Sequence, residues 1–365
     1  MKINDLCSYL EQVCPLSYQE SYDNCGLLVG SGQTEITKAL LTLDCTEEVI
    51  EEAIEMGCNL IIAHHPIIFA GLKKLTGATY IERTVIKAIQ NNIAIYAIHT
   101  NLDNILGGVN SKFAERLGLT GLQILDPKAG ILQKLVSYVP KSHSNLVLTS
   151  LFEAGAGSIG NYSECSFASE GLGSFKANTK ATPFIGEIGK RHLEEETKLE
   201  VVFPSPIQGK VVSALLTAHP YEEVAYDIFP LLNKSSEIGS GLIGELPKPM
   251  EEQEFLAYLK EKMDLKTLRY TRFNSQKISK VAICGGAGSF LLKKAISQGA
   301  QAFISSDFKY HEFFDAENRL LIADIGHYES EKFTKSLLSE LILEKFPTFA
   351  ILLSKTDTNP VNYYL

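Results

Sequence analysis

The stretch Leu60-Ile61-Ile62-Ala63-His64-His65-Pro66 runs an unbroken apolar segment straight into two imidazoles and a proline. A run of this kind suits a strand buried on both faces, as the strands of parallel sheets are. Upstream, Lys38 to Leu43 is a second such run. Thr46 then stands as an N-cap, with Glu47 and Glu48 set favourably against the helix dipole. Val49, Ile50, Ala53 and Ile54 recur at helical spacing, and Gly57 ends the helix. Downstream, a helix around Ile81 to Gln90 leads to the strand Ile93 to Ile98, which ends in His99-Thr100-Asn101-Leu102-Asp103. The order β-α-β-α-β predicts a parallel sheet with helices on its faces.

The last third of the chain repeats the pattern. Lys280 to Cys284 reads as a strand, Ser289 to Ser297 as a helix, and Gln301 to Ser305 as a strand followed by Asp307. Leu320 to Ile325 ends in Gly326-His327. Laying the segment from Ala53 to Ile62 over that from Ala295 to Ile304 puts His65 opposite Asp307. Two similar α/β halves, residues 1–130 and 236–365, are therefore expected to bring their strand ends to one cleft. Between them, residues 131–235 are more β-like and glycine-rich, with strands such as Lys134 to Tyr138 and Leu199 to Phe203. This middle part is expected to be an inserted α+β domain. Asn233 to Glu252, rich in Gly, Ser and Pro, reads as the linker back to the first domain.

Composition narrows the partners. The 365 residues carry 34 Lys and Arg against 43 Asp and Glu, a net charge of −9. That balance argues against a chain built to coat nucleic acid or an anionic membrane, since both need a basic field. No stretch reaches the ~18 consecutive apolar residues of a membrane span. The start, Met1 to Leu6, carries Asp5 and no apolar run, unlike a signal peptide. Seven cysteines form no C-x-x-C pair and suit a disulfide framework badly, so they read as small buried hydrophobes in a reducing, cytoplasmic setting.

Five residues just past strand ends carry the chemistry. His64 and His65 point to opposite faces on a flat strand, but twist at its end lets both rings reach one site; alone, they read first as a site and second as plain loop histidines. Asp103 follows the next strand of the same sheet. His327 and Glu331, at i and i+4, share a helix face; alone, they read equally as a structural salt pair. Together the five are a set suited to zinc, iron or manganese. They exceed the needs of one tetrahedral ion, which favours two ions bridged by a carboxylate and able to activate water for hydrolysis. His311 or Glu312, near the expected cleft, is a candidate proton carrier, although each reads first as a surface residue; His99 is a candidate proton carrier or partner that orients a ligand. Gly155 to Gly160 spells G-x-G-x-x-G but follows a helical stretch, so a nicotinamide site is not expected. Gly285-Gly286-Ala287-Gly288-Ser289 reads equally as an anion cradle and as a tight turn. His219-Pro220-Tyr221-Glu222-Glu223 is a further candidate cluster, with few ligands at awkward adjacent spacing for a metal, and reads at least as well as a substrate-gating or subunit-packing element.

The motifs Asp23-Asn24-Cys25-Gly26, Leu43-Asp44-Cys45-Thr46, Ala63-His64-His65-Pro66, His99-Thr100-Asn101-Leu102-Asp103 and Gly326-His327-Tyr328-Glu329-Ser330-Glu331 resemble, in order, those of the Nif-three-like family. These proteins are also known as GTP cyclohydrolase I type 2 homologues. The segments Gly157 to Tyr162, Pro183 to Gly186 and His219 to Glu223 resemble the extra domain of longer bacterial members, similar in fold to PII and CutA modules. The family often has Trp where this chain has Tyr22, and Val where it has Cys25. The resemblance implies a dinuclear site on His64, His65, Asp103, His327 and a bridging Glu331. It also implies a homohexamer, a trimer of dimers, with inserts over the openings of a cavity. The leading expectation is a two-metal hydrolase of a small phosphate-bearing or nucleotide-like substrate. The alternative is a non-enzymatic scaffold whose insert senses a small molecule.

Overall fold

The structure, a computed structural model, describes residues 1–364. The chain divides into two compact units, Met1–Asp126 together with the chain from Glu237 onward, and Pro127–Ser236.

The first unit holds two sheets. One has the strand order Gly26–Val29, Ala94–Ala97, Leu60–Ala63, Ala39–Thr42 and Ile351–Leu353. All neighbours in it are parallel except Gly26–Val29, which pairs antiparallel at the edge. The middle strands are buried throughout, which is why they are short and apolar without alternation. The helix Glu47–Met56 starts where the Thr46 side chain accepts from the Val49 amide, and stops at Gly57 with φ 68°. Its Val49, Ile50 and Ala53 pack against Leu40 and Ile61. Full burial of such a branched side chain contributes about 1.5–3 kcal/mol.

The second sheet has the order Arg269–Tyr270, Leu321–Asp324, Ala302–Ser306, Ile278–Ala287, Lys234–Met250 and Thr120–Ala129. Its three strands from Ile278 to Asp324 are parallel, matching the three central strands of the first sheet. Val281 and Ile283 join one core while Ala282 and Cys284 join another, as alternation across a strand requires.

The expected linker from Asn233 to Glu252 is a correction. Lys234–Met250 is a strand, paired antiparallel with Ile278–Ala287. Its glycines serve close packing: a Cβ at Gly244 would meet the Thr120 carbonyl at 2.9 Å, and one at Gly241 the Ile283 carbonyl at 2.8 Å.

The unit Pro127–Ser236 contains four strands and two helices in the order βαββαβ. The sheet order is Ser166–Lys176, Arg191–Pro204, Leu132–Pro140, Tyr226–Pro230, all antiparallel. This is the ferredoxin-like split βαβ arrangement. The helices Ser144–Glu153 and Gln208–Ala218 bury Val147, Leu151, Val211 and Leu215 against Leu135, Leu199 and Val201. Gly155 to Gly160 follows the first of these helices and opens no Rossmann turn. No helix among the described residues is long and apolar enough to cross a membrane. All seven cysteines are free thiols, five of them buried.

Candidate metal centre

Both sets of parallel strands deliver their functional residues from their carboxyl ends. After Ala63 the ladder continues for two more residues, the His64 and His65 amides donating to Thr42 and Leu43 carbonyls at 3.2 and 2.9 Å. The two rings nevertheless converge, with centroids 4.9 Å apart. Asp103 closes the short helix Thr100–Asp103 that follows Ala94–Ala97. His327 and Glu331 begin and end the helix His327–Glu331.

Glu331 is the hub. Its Oε2 lies 3.0 Å from His65 Nε2 and 3.2 Å from His327 Nε2. Its Oε1 lies 3.8 Å from His64 Nε2, which in turn is 3.6 Å from Asp103 Oδ1. Three groups bring metal-ligating atoms within 4.8 Å of one another: His65, His327 and Glu331; His64, Asp103 and Glu331; and His64, His65 and His99.

Each imidazole is held by its other nitrogen. His64 Nδ1 donates to the Ile98 carbonyl at 2.8 Å, leaving Nε2 with a lone pair. His65 Nδ1 lies 2.7 Å from Asp44 Oδ1, His327 Nδ1 2.6 Å from Asp307 Oδ2, and His99 Nδ1 2.8 Å from Asp23 Oδ1. Carboxylates at these positions fix ring orientation and raise imidazole basicity.

The electrostatics call for positive charge here. Burial pushes His65 down, yet hydrogen bonds to Asp44 and Glu331 outweigh it and carry the ring up to about 10. The same balance, with Asp307 and Glu331, carries His327 up to about 11. His64 goes the other way, pushed down by burial. Burial works to raise Glu331, but its three imidazole neighbours hold it well below the usual carboxylate range. Asp103 is pushed well above that range by burial and by the Glu331 charge.

His64 Nε2 and Asp103 Oδ1 are buried without a hydrogen-bond partner among the described residues. A buried lone pair facing a buried carboxylate oxygen costs free energy unless a cation lies between them. Imidazole and carboxylate are the donors that divalent transition metals take. The residues therefore fit a metal ion.

The remaining sequence candidates separate. His99 joins the cluster with His64 and His65. His311 is exposed among the rings of Tyr310 and Phe314, and Glu312 accepts from the Ser289 hydroxyl and the Lys309 amide, so neither enters the groups around Glu331. The glycine turn resolves as a turn: the Gly285 and Gly286 amides donate to Asn110 and Ser330 side chains. Gly286 instead gives Glu331 room, since a Cβ there would lie 2.4 Å from Oε1. Asp44, Asp307 and Asp23 went unassigned as ring-holding partners, although each stands in or beside a motif and Asp44 and Asp307 directly follow strand regions. A cavity of about 670 Å3 opens beside the cluster, lined by Leu43, Phe69, His65, His327, Tyr328 and Arg269 among others. That volume is in the range of small-molecule sites, roughly 300–1,000 Å3.

Fold and site define an α/β protein with an imidazole–carboxylate cluster, suited to divalent metal, at the carboxyl ends of two matching sets of parallel strands. The model of the DUF34/NIF3 (NGG1p interacting factor 3) family matches residues 1–360, and the chain belongs to that family. It is 41% identical over 359 residues to a GTP cyclohydrolase 1 type 2 homolog of Bacillus subtilis, covering 97% of this chain and 96% of that protein. A protein of the same name from Staphylococcus epidermidis is 39% identical over 368 residues, with both chains fully covered. The crystal structure of a Bacillus cereus protein related to NIF3 superposes with a TM-score of 0.88 at 37% identity, covering 100% of this chain and 99% of that one.

Proposed function

We propose that the chain is a metal-dependent hydrolase that holds two divalent transition-metal ions on His64, His65, Asp103, His327 and Glu331. Zinc is the first choice, with iron or manganese as alternatives. The observation that carries this reading is the division of Glu331, whose Oε2 faces His65 and His327 while Oε1 faces His64. A carboxylate shared in this way suits a bridge between two ions. Paired divalent ions supply Lewis acidity and lower the pKa of water.

The chain's own residues do the rest. Asp44 and Asp307 hold His65 and His327 in one tautomer and orientation. Leu43, Phe69 and Tyr328 offer apolar walls that limit water around a substrate in the adjoining cavity. His99, anchored on Asp23, is assigned to hold or pass a proton at Nε2. His311 remains the outlying proton carrier of this reading, and Glu312 the less free one.

The substrate assigned is small and phosphate-bearing or nucleotide-like, in line with the relatives' name. A homohexamer is proposed from the family resemblance of the sequence motifs alone, and the free thiols suit the cytoplasm. The test is a panel of nucleotides and phosphoesters offered to metal-replete and metal-stripped protein. Metal-dependent turnover that vanishes in Glu331→Gln is expected. A metal-replete protein inert across the panel contradicts the hydrolase assignment.

A further inference from the structure

The motif His219-Pro220-Tyr221-Glu222-Glu223 has no part in the metal cluster, and its geometry has a purpose of its own. His219 is buried; its Nε2 donates to the Tyr138 carbonyl at 3.0 Å, and its Nδ1 accepts from the Tyr221 amide at 3.1 Å. The imidazole therefore braces the turn in a single neutral tautomer. From that turn Glu222 accepts the Thr182 amide at 2.8 Å, tying down the loop between Lys176 and Arg191. Tyr221 donates its hydroxyl to Glu196 Oε1 at 3.0 Å.

Tyr221, Glu222 and Glu196 line an open cavity of about 650 Å3, formed entirely from within the unit Pro127–Ser236. It lies on the sheet face opposite the two helices, since Glu196 and Lys198 alternate with Thr197 and Leu199, and Leu199 belongs to the helix-packed core. Phe175 and Phe184 flank Tyr221, with ring centroids 6.1 and 6.3 Å from it and planes inclined by 60° and 48°. All three rings line the cavity and, inclined to one another, wall it as a trough. The lining carries four carboxylates, Glu170, Glu196, Glu222 and Glu223, against two ammonium groups, Lys176 and Lys198. Lys198 is already engaged by Glu200, and Glu170 by Lys141. Glu196 Oε2 lies over Gly173, where a Cβ would come within 2.0 Å of it, so the glycine keeps space for that carboxylate.

We infer that this cavity binds a small organic cation bearing alkylammonium groups, held by the Phe175–Tyr221–Phe184 trough and the Glu196 carboxylate. Aromatic faces attract substituted ammonium ions, and the attraction grows as the ion is desolvated. The acidic excess opposes a phosphate-bearing ligand, which needs basic groups or free amides. The volume is in the range of small-molecule sites and has ample room for a ligand of polyamine or choline size. This site stands independently of the hydrolase reading.

The test is calorimetric titration of the full-length protein with spermidine and with choline, using ATP as the anionic comparison. Saturable binding of at least one of the two cations is expected. It should weaken about tenfold in Tyr221→Leu. Glu196→Gln, which keeps the bond from Tyr221, should weaken it comparably, with circular dichroism and metal content unchanged in both variants. Absence of saturation by both cations at millimolar concentration overturns the proposal. So does binding that both variants retain, or ATP binding that either variant abolishes. If neither cation binds and Phe184→Asp changes the oligomeric state, the face belongs to a second copy of the chain and the proposal fails.

Discussion

Glu331 and the ring-holding aspartates are where single atoms decide the outcome. With one oxygen aimed at His65 and His327 and the other at His64, Glu331 uses both oxygens, which the isosteric amide of glutamine cannot replace, and His64→Ala with Glu331→Gln should remove most bound metal by elemental analysis. Asp44→Asn or Asp307→Asn should leave the ligands in place yet weaken metal binding about 10–100-fold, read by competition with a chelator. Unchanged affinity in both would show that the imidazoles orient themselves. Gly286→Ala combines a φ of +63° with a Cβ 2.4 Å from Glu331 Oε1, so it should cost about 1–2 kcal/mol of stability in thermal unfolding and lower metal content as well. At this scale the sequence was partly legible. Histidines and acids directly after apolar runs marked the cluster, because a strand end is where a polar side chain escapes the core. Which nitrogen of each ring would be tied, and to which aspartate, depends on contacts such as Asp307 to His327 that strand patterns do not encode.

Elements are held by local devices whose strength can be read one at a time. The helix Tyr80–Gln90 begins with the Thr79 side chain accepting from the Glu82 amide. The Glu82 carboxylate accepts from the Thr76 hydroxyl and amide and the Ala78 amide, which together bring it down to about 2. A carboxyl lowered by folding stabilises above its unfolded pKa and loses that contribution as pH falls through its folded one. Glu82→Gln should therefore be less stable than the parent near neutral pH, and the gap should close between about pH 4.3 and pH 2 in denaturant titrations. A gap that stays constant across that window would assign the effect to packing rather than charge. Helix Glu47–Met56 and strand Leu60–Ala63 lie where periodicity puts them, because cap, apolar face and terminating glycine are all local signals. Lys234–Met250 escaped that reading, since its Gly, Ser and Pro content mimics a linker while its pairing is set by a partner some forty residues away.

For the molecule as a whole, the consequence is a division of labour along the chain. The five cluster residues all belong to the unit Met1–Asp126 with Glu237 onward, and the strands leading into and out of Pro127–Ser236 are neighbours in one sheet. Replacing residues 131–235 by a short Gly-Ser linker should thus leave a folded protein with its metal content intact, by circular dichroism and elemental analysis. Loss of either would mean that the insert is needed for the first unit to fold. Two strands of the insert, Lys134 to Tyr138 and Leu199 to Phe203, and its resemblance to PII and CutA modules were legible, whereas the full βαββαβ order was not, because antiparallel pairing among Leu132–Pro140, Ser166–Lys176 and Arg191–Pro204 is fixed by register rather than by composition. The central claim, two ions sharing Glu331, is tested most directly by anomalous diffraction at a metal absorption edge from crystals of the wild-type protein. The account predicts two peaks about 3.5–4 Å apart, one beside His64 and Asp103, the other beside His65 and His327, with the Glu331 carboxylate between them. A single peak, or two peaks that leave Glu331 outside both coordination spheres, would contradict it.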